Sequence, residues 1–439
     1  MGAHPIEMAR TSALRAAIAV VVFKDSGEFR QFVFADFASR KPLVRAAIAA
    51  HRLLRKTPLG TLMMAGYGLK SFLAVNAPDD ADILAAASYR NEHRQLDQVE
   101  SLLDKVSVGR ADFGLGTILT RDSIRALIRQ VSHPGRLRDL WNLIDEQSQS
   151  SDFLVAARVA STVGYYERFG QMLDEHRPRA IVVSSDSNPY AMGLTFGAKN
   201  RSVPTIYITH GHLPDGPPAL MFDLSILDGP QCATVYEEAG PIGGEVVFRG
   251  SEGTYRPLRT AGLRKANPSI GIFCSLVVDW ERLGRLVGDI QRTLNPSQIV
   301  LRLHPNKIIR DKRALDWIDD RSNVTISDGD QVLTSDADRC DVVFVGNSSC
   351  HLTVLKYGVP TIYVRGLDKV PHDFYRLLKL NVVPAFESVG DVGLADVANF
   401  YEAPEWPARF TRFDAAYEHG VDSLDADVKA ALERHLEPR

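Results

Sequence analysis

The sequence predicts an α/β chain of two doubly wound domains facing across a cleft, and three observations carry that expectation. First, 439 residues exceed what one hydrophobic core usually serves, since single cores stop growing near ~250 to 300 residues. Second, short Val- and Ile-rich runs alternate with longer amphipathic stretches in both halves, which is the pattern of parallel sheets covered by helices. Third, the string VPTIY occurs twice, at 203–207 and at 359–363. In both copies a helix is expected to end at a small or polar residue, Ser202 or Gly358, a proline stops it, and a β-rich strand begins. One helix-to-strand joint used once per half fits two Rossmann-like domains.

Taken in order, residues 13–23 (ALRAAIAVVVF) are too short to span a bilayer and lack a small-residue cleavage site after them. They read as a buried strand with its lead-in, and the protein is expected to be cytoplasmic. Residues 82–106 read strand, loop, helix; residues 180–200 repeat that order and lead into the strand 204–211. In the second half, 269–294 is a strand and helix, 298–305 and 323–329 are strands, 341–358 is a strand and helix, and 359–366 a strand. Residues 246–269 are rich in Gly, Pro and basic residues without an apolar period, as a domain boundary would be. The expected division is therefore an acceptor-side domain over 1–250, a nucleotide-binding domain over 266–400, and a helical tail over 401–439 that packs back on the first domain.

Composition excludes several classes of function. With Lys+Arg 51 against Asp+Glu 54 and a net charge of -3, the chain lacks the basic excess of a nucleic-acid-coating protein. The four cysteines, Cys232, Cys274, Cys340 and Cys350, form no CxxC pair and read as buried small hydrophobes in a reducing compartment. No metal site is expected: the DxD strings at 80–82, 336–338 and 425–427 lie in polar segments and read as solvated turns or helix faces. One charge feature stands apart. Arg40, Lys41, Arg45, Arg52, Arg55, Lys56 and Lys70 occur with no Asp or Glu between them, interleaved with Leu, Ile and Met. This stretch, 40–70, reads either as a core-packed helix pair or as a peripheral face for the membrane's inner surface and a lipid-linked acceptor.

Ligands of facing α/β domains bind at the carboxyl edges of the sheets, so the loops after strands hold the candidates. In the second half these are Ser275, Arg302 to Asn306 (RLHPN) and Gly346 to Cys350 (GNSSC). In GNSSC a buried strand ends and a helix begins, so free N–H groups with the hydroxyls of Ser348 and Ser349 suit a phosphate; the alternative is a plain N-cap. Arg302 and His304 alternate on one strand face and Pro305 ends it, which would aim a cation and an imidazole at the same phosphate. In the first half the loops are 88–93 (SYRNEH), 184–188 (SSDSN) and 209–216 (THGHLPDG).

The order and spacing of these motifs over residues 80–390 resemble GT-B glycosyltransferases. More narrowly, they resemble the bacterial surface-polysaccharide group of polysialyltransferases, capsule Kdo transferases and CDP-glycerol glycerophosphotransferases. In that group an HP pair and a downstream serine doublet bind the phosphate of a cytidine nucleotide; His304, Pro305, Ser348 and Ser349 match, with Asn347 beside them. The resemblance implies a GT-B fold, no cofactor other than a nucleotide-sugar donor that is CMP-linked, and a surface-glycan or lipid-linked acceptor. It also implies a base in the first domain, and His210 matches a His-Gly pair of the glycerophosphotransferases. The acidic motif of sialyltransferases has no counterpart here, so Asp186 and Glu92, on predicted cleft loops, are the acidic candidates for the catalytic proton transfer. Against them stand an Asx-turn for Asp186 and a solvated helix start for Glu92. No role attaches to Asp368 or His372. Three rivals remain at this stage: a CDP-glycerol glycerophosphotransferase, an isomerase similar to UDP-N-acetylglucosamine 2-epimerase, and an inactive nucleotide-sugar-binding subunit.

Overall fold

The computed structural model describes residues 5–25, 27, 42–54, 57–73, 75, 81–103, 106–113, 153–209, 211–251, 253, 255–305, 318, 323–327, 331–370 and 372–437. Arg40, Lys41, Arg55, Lys56, Asp80, Asn306 and the candidate base His210 lie outside them.

Among the described residues, two six-stranded sheets organise the fold. The first contains β1 (Ile83–Ala86), β2 (Val108–Ala111), β3 (Ala180–Val183), β4 (Thr205–Ile208), β5 (Leu224–Leu227) and β6 (Glu245–Phe248), in the order β2-β1-β3-β4-β5-β6. All its pairings are parallel. Both faces are covered, as a parallel sheet requires. Leu84, Ala86, Ile181 and Val183 meet α1 (Pro5–Asp25), α5 (Phe153–His176) and α6 (Pro189–Lys199), with α2 (Pro42–Leu54) and α3 (Pro58–Leu73) packed outside on α5. The alternate residues Ile83, Ala85, Ala180 and Val182 meet α4 (Arg90–Leu102) on the opposite face. α7 (Pro230–Ala239) follows β5.

The apolar run at 13–23 is helical, contrary to the strand expected. Its sealed positions, Ala17, Ile18, Val21 and Val22, are spaced three and four apart, so one helix face enters the core; continuous apolarity concealed that period. The helix ends at Asp25, fully buried, whose carboxylate lies 2.5 Å from Arg158 Nε on α5.

The second sheet holds β7 (Ser269–Phe273), β8 (Gln298–Arg302), β9 (Val324–Ile326), β10 (Val342–Val345), β11 (Thr361–Val364) and β12 (Ala385–Phe386), ordered β12-β11-β10-β7-β8-β9 and parallel throughout. Counted from β7, this is the 3-2-1-4-5-6 order of a dinucleotide-type domain, whose strand direction of travel reverses between β7 and β10. Its helices include α8 (Trp280–Leu294), α9 (Leu333–Ala337) and α10 (Cys350–Lys356). α8 begins where Asp279 accepts from the Glu281 and Arg282 N–H groups, each at 3.0 Å, the usual work of a capping carboxylate.

Both VPTIY copies build the same joint. Ser202 and Gly358 have φ of 56° and 78°. Val203 N–H reaches back to Ala198 O at 3.0 Å, and Val359 N–H to Val354 O at 3.2 Å. These are the long bonds of a helix closed by a left-handed residue. The following tyrosines take equivalent places, Tyr207 beside Val183 and Tyr363 beside Val345.

The carboxyl edges of the two sheets meet. Asp215, after β4, donates its N–H to Phe374 O, after β11, at 2.7 Å. Arg376 binds both Glu238 oxygens, at 2.8 and 2.6 Å, and also Asp215. The tail divides between the domains. α11 (Leu394–Glu402) and α12 (Trp406–Thr411) contribute Val397, Tyr401, Trp406 and Phe410 to the second core. After α13 (Ala416–His419), α14 (Val421–Leu436) seals the first sheet with Val428, Ala431, Leu432 and Leu436. Among the described residues, no helix is long and apolar enough to cross a membrane.

Candidate functional site

Each sheet has one point where neighbouring strands lead away in opposite senses, and a buried acid sits at both. In the second domain that point lies between β7 and β10. Ser275, just past β7, donates its hydroxyl to Asp368 Oδ1 at 2.5 Å. Asn347, just past β10, donates its backbone N–H to Asp368 Oδ2. Asp368 thereby ties the two strand ends together. Gly346 is required here, since a Cβ would overlap the carboxylate. Burial pushes the Asp368 carboxyl upward in pKa, while the bonds from Ser275 and Asn347 oppose that shift.

Asn347 also ties down the segment that follows β11. Its side-chain amide donates to His372 O and its Oδ1 accepts from Phe374 N–H at 3.2 Å. Next to these groups is a pocket of about 160 Å³, lined by Asn347, Tyr363, Arg365, Gly366, Asp368 and Asp373 among others. Ser348 Oγ accepts from Cys350 N–H at 3.3 Å. Ser349 stands at the N-cap of α10 without a capping bond from its side chain; its hydroxyl interacts with Tyr375 instead. Beneath this turn, fully buried His351 contacts Gly346 O through Nε2 at 3.0 Å and Thr361 Oγ1 through Nδ1 at 2.8 Å. A carbonyl can only accept, so Nε2 carries the proton and Nδ1 accepts from the threonine. Burial lowers the His351 pKa to about 3, so the ring is neutral.

The HP segment divides. His304 is half-buried and Pro305 exposed, directly after β8. Arg302 is 8% exposed, and its charge acts on Cys350 at the end of the GNSSC segment. Its guanidinium is ion-paired with Asp336 on α9 and donates to Gln331 O at 2.9 Å. Asp336, expected in a solvated segment, is fully buried; an uncompensated buried carboxylate is costly, and Arg302 pairs with one of its oxygens while Arg339 lies 3.8 Å from the other.

In the first domain the reversal lies between β1 and β3. Glu92, fully buried, is not on a solvated helix start. It accepts from the N–H groups of Ser88 at 2.8 Å and Tyr89 at 3.0 Å, closing the first turn of α4, and from Asn188 Nδ2 at 3.4 Å. Asp186 is 6% exposed and accepts from Ser187 Oγ and from Tyr236 Oη, each at 3.0 Å. Tyr236 in turn contacts Tyr207 Oη at 3.0 Å. Both acids thus hold loops together at the base of the cleft.

The loop after β4 brings in a pair that sequence reasoning passed over. His212 Nδ1 lies 3.4 Å from Asp228 Oδ2, at the end of β5, and Thr209 Oγ1 donates to Asp228 Oδ1 at 3.0 Å. Burial pushes the Asp228 pKa up; the His212 charge pulls it down. The signal available was a second histidine in THGH and an acid, Asp228, closing the next strand. Among the described residues, no group of three or more His, Cys, Asp or Glu side chains is placed to hold a metal ion.

No family model and no curated protein matches the chain. Solved structures do resemble it. The glycotransferase of kitacinnamycin aligns at 14% identity over 82% of this chain and 100% of that one, with a TM-score of 0.49. The UDP-N-acetylglucosamine 2-epimerase from Rickettsia bellii aligns at 11% identity over 81% and 96%, with a TM-score of 0.48. The UDP-GlcNAc 2-epimerase from Neisseria meningitidis, bound to UDP-GlcNAc, aligns at 10% over 80% and 99%, with a TM-score of 0.47.

Proposed function

We propose that the protein is a GT-B glycosyltransferase that moves a sugar of the nonulosonate type, such as Kdo, from a cytidine nucleotide to a surface-polysaccharide or glycolipid acceptor. The observation that carries this reading is the adjacency of β8, β7 and β10. The loops bearing His304, Ser275 and Ser348–Ser349 therefore leave three neighbouring strand ends at the carboxyl edge, beside the sheet's reversal point, where such folds take nucleotides. The likeness of the HP pair and serine doublet to cytidine-nucleotide transferases supports the choice of base. In this reading His304, Asn347, Ser348 and Ser349 hold the donor phosphate, and the transfer needs no cofactor beyond the donor. Arg302, paired with Asp336, supplies positive charge to the same site. In this reading the hydroxyls, imidazole and backbone N–H groups of these loops stabilise the departing phosphate.

The acceptor side includes the surface of α2 and α3. Arg45, Arg52 and Lys70 are exposed there, with Leu53 80% and Leu59 55% exposed. Apolar side chains among cations suit the surface of an anionic membrane bearing a lipid-linked acceptor. Co-sedimentation with anionic liposomes at low salt tests this; protein left wholly in the supernatant rejects it.

The donor is tested by thermal shift with CMP, CDP, UDP, UMP and GDP on wild type and His304→Ala, because a ligand that binds only the folded state raises its melting temperature. Stabilisation by CMP, lost in the variant, is the expected result. Preference for CDP would replace the sugar by glycerol phosphate, preference for UDP would point to an epimerase or hexosyltransferase, and no response to any nucleotide would overturn the reading. Turnover is expected to survive a chelator.

A further inference from the structure

We propose that His212, oriented by Asp228, is the general base that removes the proton from the acceptor hydroxyl; this rests on reading the cleft as the site of sugar transfer. Nδ1 of His212 and Oδ2 of Asp228 are sealed from solvent, and among the described residues neither has another partner. They face each other at 3.4 Å, while the His212 side chain as a whole keeps 10% of its exposure. The ring therefore turns Nδ1 inward to the acid and leaves its opposite edge as the part that reaches out. An imidazole whose inner nitrogen faces a fixed carboxylate is held in one tautomer, and the imidazolium formed on proton uptake is stabilised.

The acid is fixed on every side. Thr209 Oγ1 binds Oδ1, and Asp228 O accepts from Ala415 N–H at 2.9 Å. Among the described residues, the other titratable groups coupled to Asp228 are Asp414 of the tail, Lys356 of α10, Cys232 of α7, Tyr207 of β4 and Tyr255 of the interdomain linker. Lys356 and Asp414 pair with each other at 3.2 Å, so His212 is the remaining partner for the Asp228 charge. By contrast, Glu92 and Asp186 accept bonds from neighbouring loops on both oxygens, so among the described candidates His212 is the better base.

The location agrees. His212 precedes by three residues the Asp215 whose N–H meets Phe374 O, and Phe374 N–H binds Asn347 at the donor-side pocket. In the reaction, the acceptor oxygen bonds to the anomeric carbon as its proton passes to the outward ring nitrogen. The bond from that carbon to the phosphate oxygen breaks, and its electron pair leaves with the nucleotide.

The test is steady-state turnover of the donor selected by the nucleotide panel, with wild type, His212→Gln and Asp228→Asn. His212→Gln should lower kcat about 10²- to 10⁴-fold while leaving the nucleotide-induced thermal shift and donor KM within about threefold, a range well inside one tenfold step of binding. Asp228→Asn should lower kcat and move the acid limb of its pH profile to lower pH, because the imidazolium loses its counter-charge. A kcat within about threefold of wild type in His212→Gln, or an equal loss of donor affinity, would overturn the role. If wild type turns over no donor, the transferase reading itself falls; histidine NMR of the same proteins then decides the pair. An unchanged His212 titration in Asp228→Asn overturns it, and a lowered one retains the base for another acceptor proton.

Discussion

Asp368 Oδ1 lies 2.5 Å from the hydroxyl of Ser275, 93 residues earlier in the chain, and its other oxygen takes the N–H of Asn347. One buried carboxylate thus closes the ends of the two strands between which the second sheet reverses. Asp368→Asn keeps the shape but presents an amide that cannot accept from both groups. It should cost about 1–3 kcal/mol, the range for leaving a buried donor unsatisfied. Gly346→Ala, which forces a methyl into the same carboxylate, should destabilise at least as much. Urea unfolding of both variants checks this; wild-type midpoints would refute the bridge.

His351 gives the protein a definite response to acid. Its pKa is about 3 in the folded protein against about 6.5 in an unfolded chain, so between those values the unfolded state binds more protons. Stability should therefore fall as pH drops from about 6.5 toward 3, by at most about 4–5 kcal/mol from this group. Asp368 and Asp228, whose pKa values are raised by burial, act in the opposite direction once they protonate. His351→Gln should flatten the acid slope of stability measured from pH 7 to pH 4; an unchanged slope would show that His351 is not its source.

The strands that could be read from the sequence were those buried on both faces, such as IVV at 181–183 and VVFV at 342–345, because continuous apolarity bounded by turns is itself the signal. β2, with Gly109 and Arg110, and the edge strand β6, half-buried throughout, carry no such run. The same rule misread α1, whose apolar stretch is as continuous as a strand. At the site, loop positions after strands were legible, but pairings were not. Nothing in the sequence joins Asp368 to Ser275, Asp336 to Arg302 or Asp228 to His212, since each partner arrives from a different β-α unit. Glu92 could have been read otherwise: an acid three residues into a helix start is placed to cap it.

Lys356, 2% exposed, pairs with Asp414 at 3.2 Å, donates to Ser251 O at 2.5 Å and lies 4.2 Å from the Tyr255 ring centroid. It thus joins helix α10, the interdomain linker and the returning tail. Lys356→Met alone strands the Asp414 charge and should cost about 3–5 kcal/mol, whereas Lys356→Met with Asp414→Leu should recover most of that loss. Denaturant unfolding of the single and double variants measures the difference. Equal destabilisation in both would mean that packing, not charge, dominates the crossing.

Arg376 holds the two domains by Glu238 and Asp215, and Arg376 itself sits at φ 58°. Arg376→Ala should widen the distribution of interdomain distances seen by small-angle scattering and lower stability by about 1 kcal/mol. The two carboxylates are exposed, but the guanidinium, 12% exposed, binds Glu238 through two bonds. Scattering identical to wild type would show that the Asp215–Phe374 backbone bond suffices.

The duplicated joint supplies the last contrast. Ser202 and Gly358 occupy the same left-handed position, yet only Gly358 is the residue type that adopts it without a Cβ penalty. Ser202→Gly should therefore stabilise by about 0.5–1 kcal/mol, the part of that penalty left after glycine's greater unfolded-state entropy is subtracted. Gly358→Ser should do the reverse and more, since a Cβ there also runs into Pro257 O, and a loss above about 1 kcal/mol is expected. Equilibrium denaturation of the two reciprocal variants decides it: effects of the same sign would mean that the two VPTIY joints, though equal in hydrogen bonding, are not equivalent in strain.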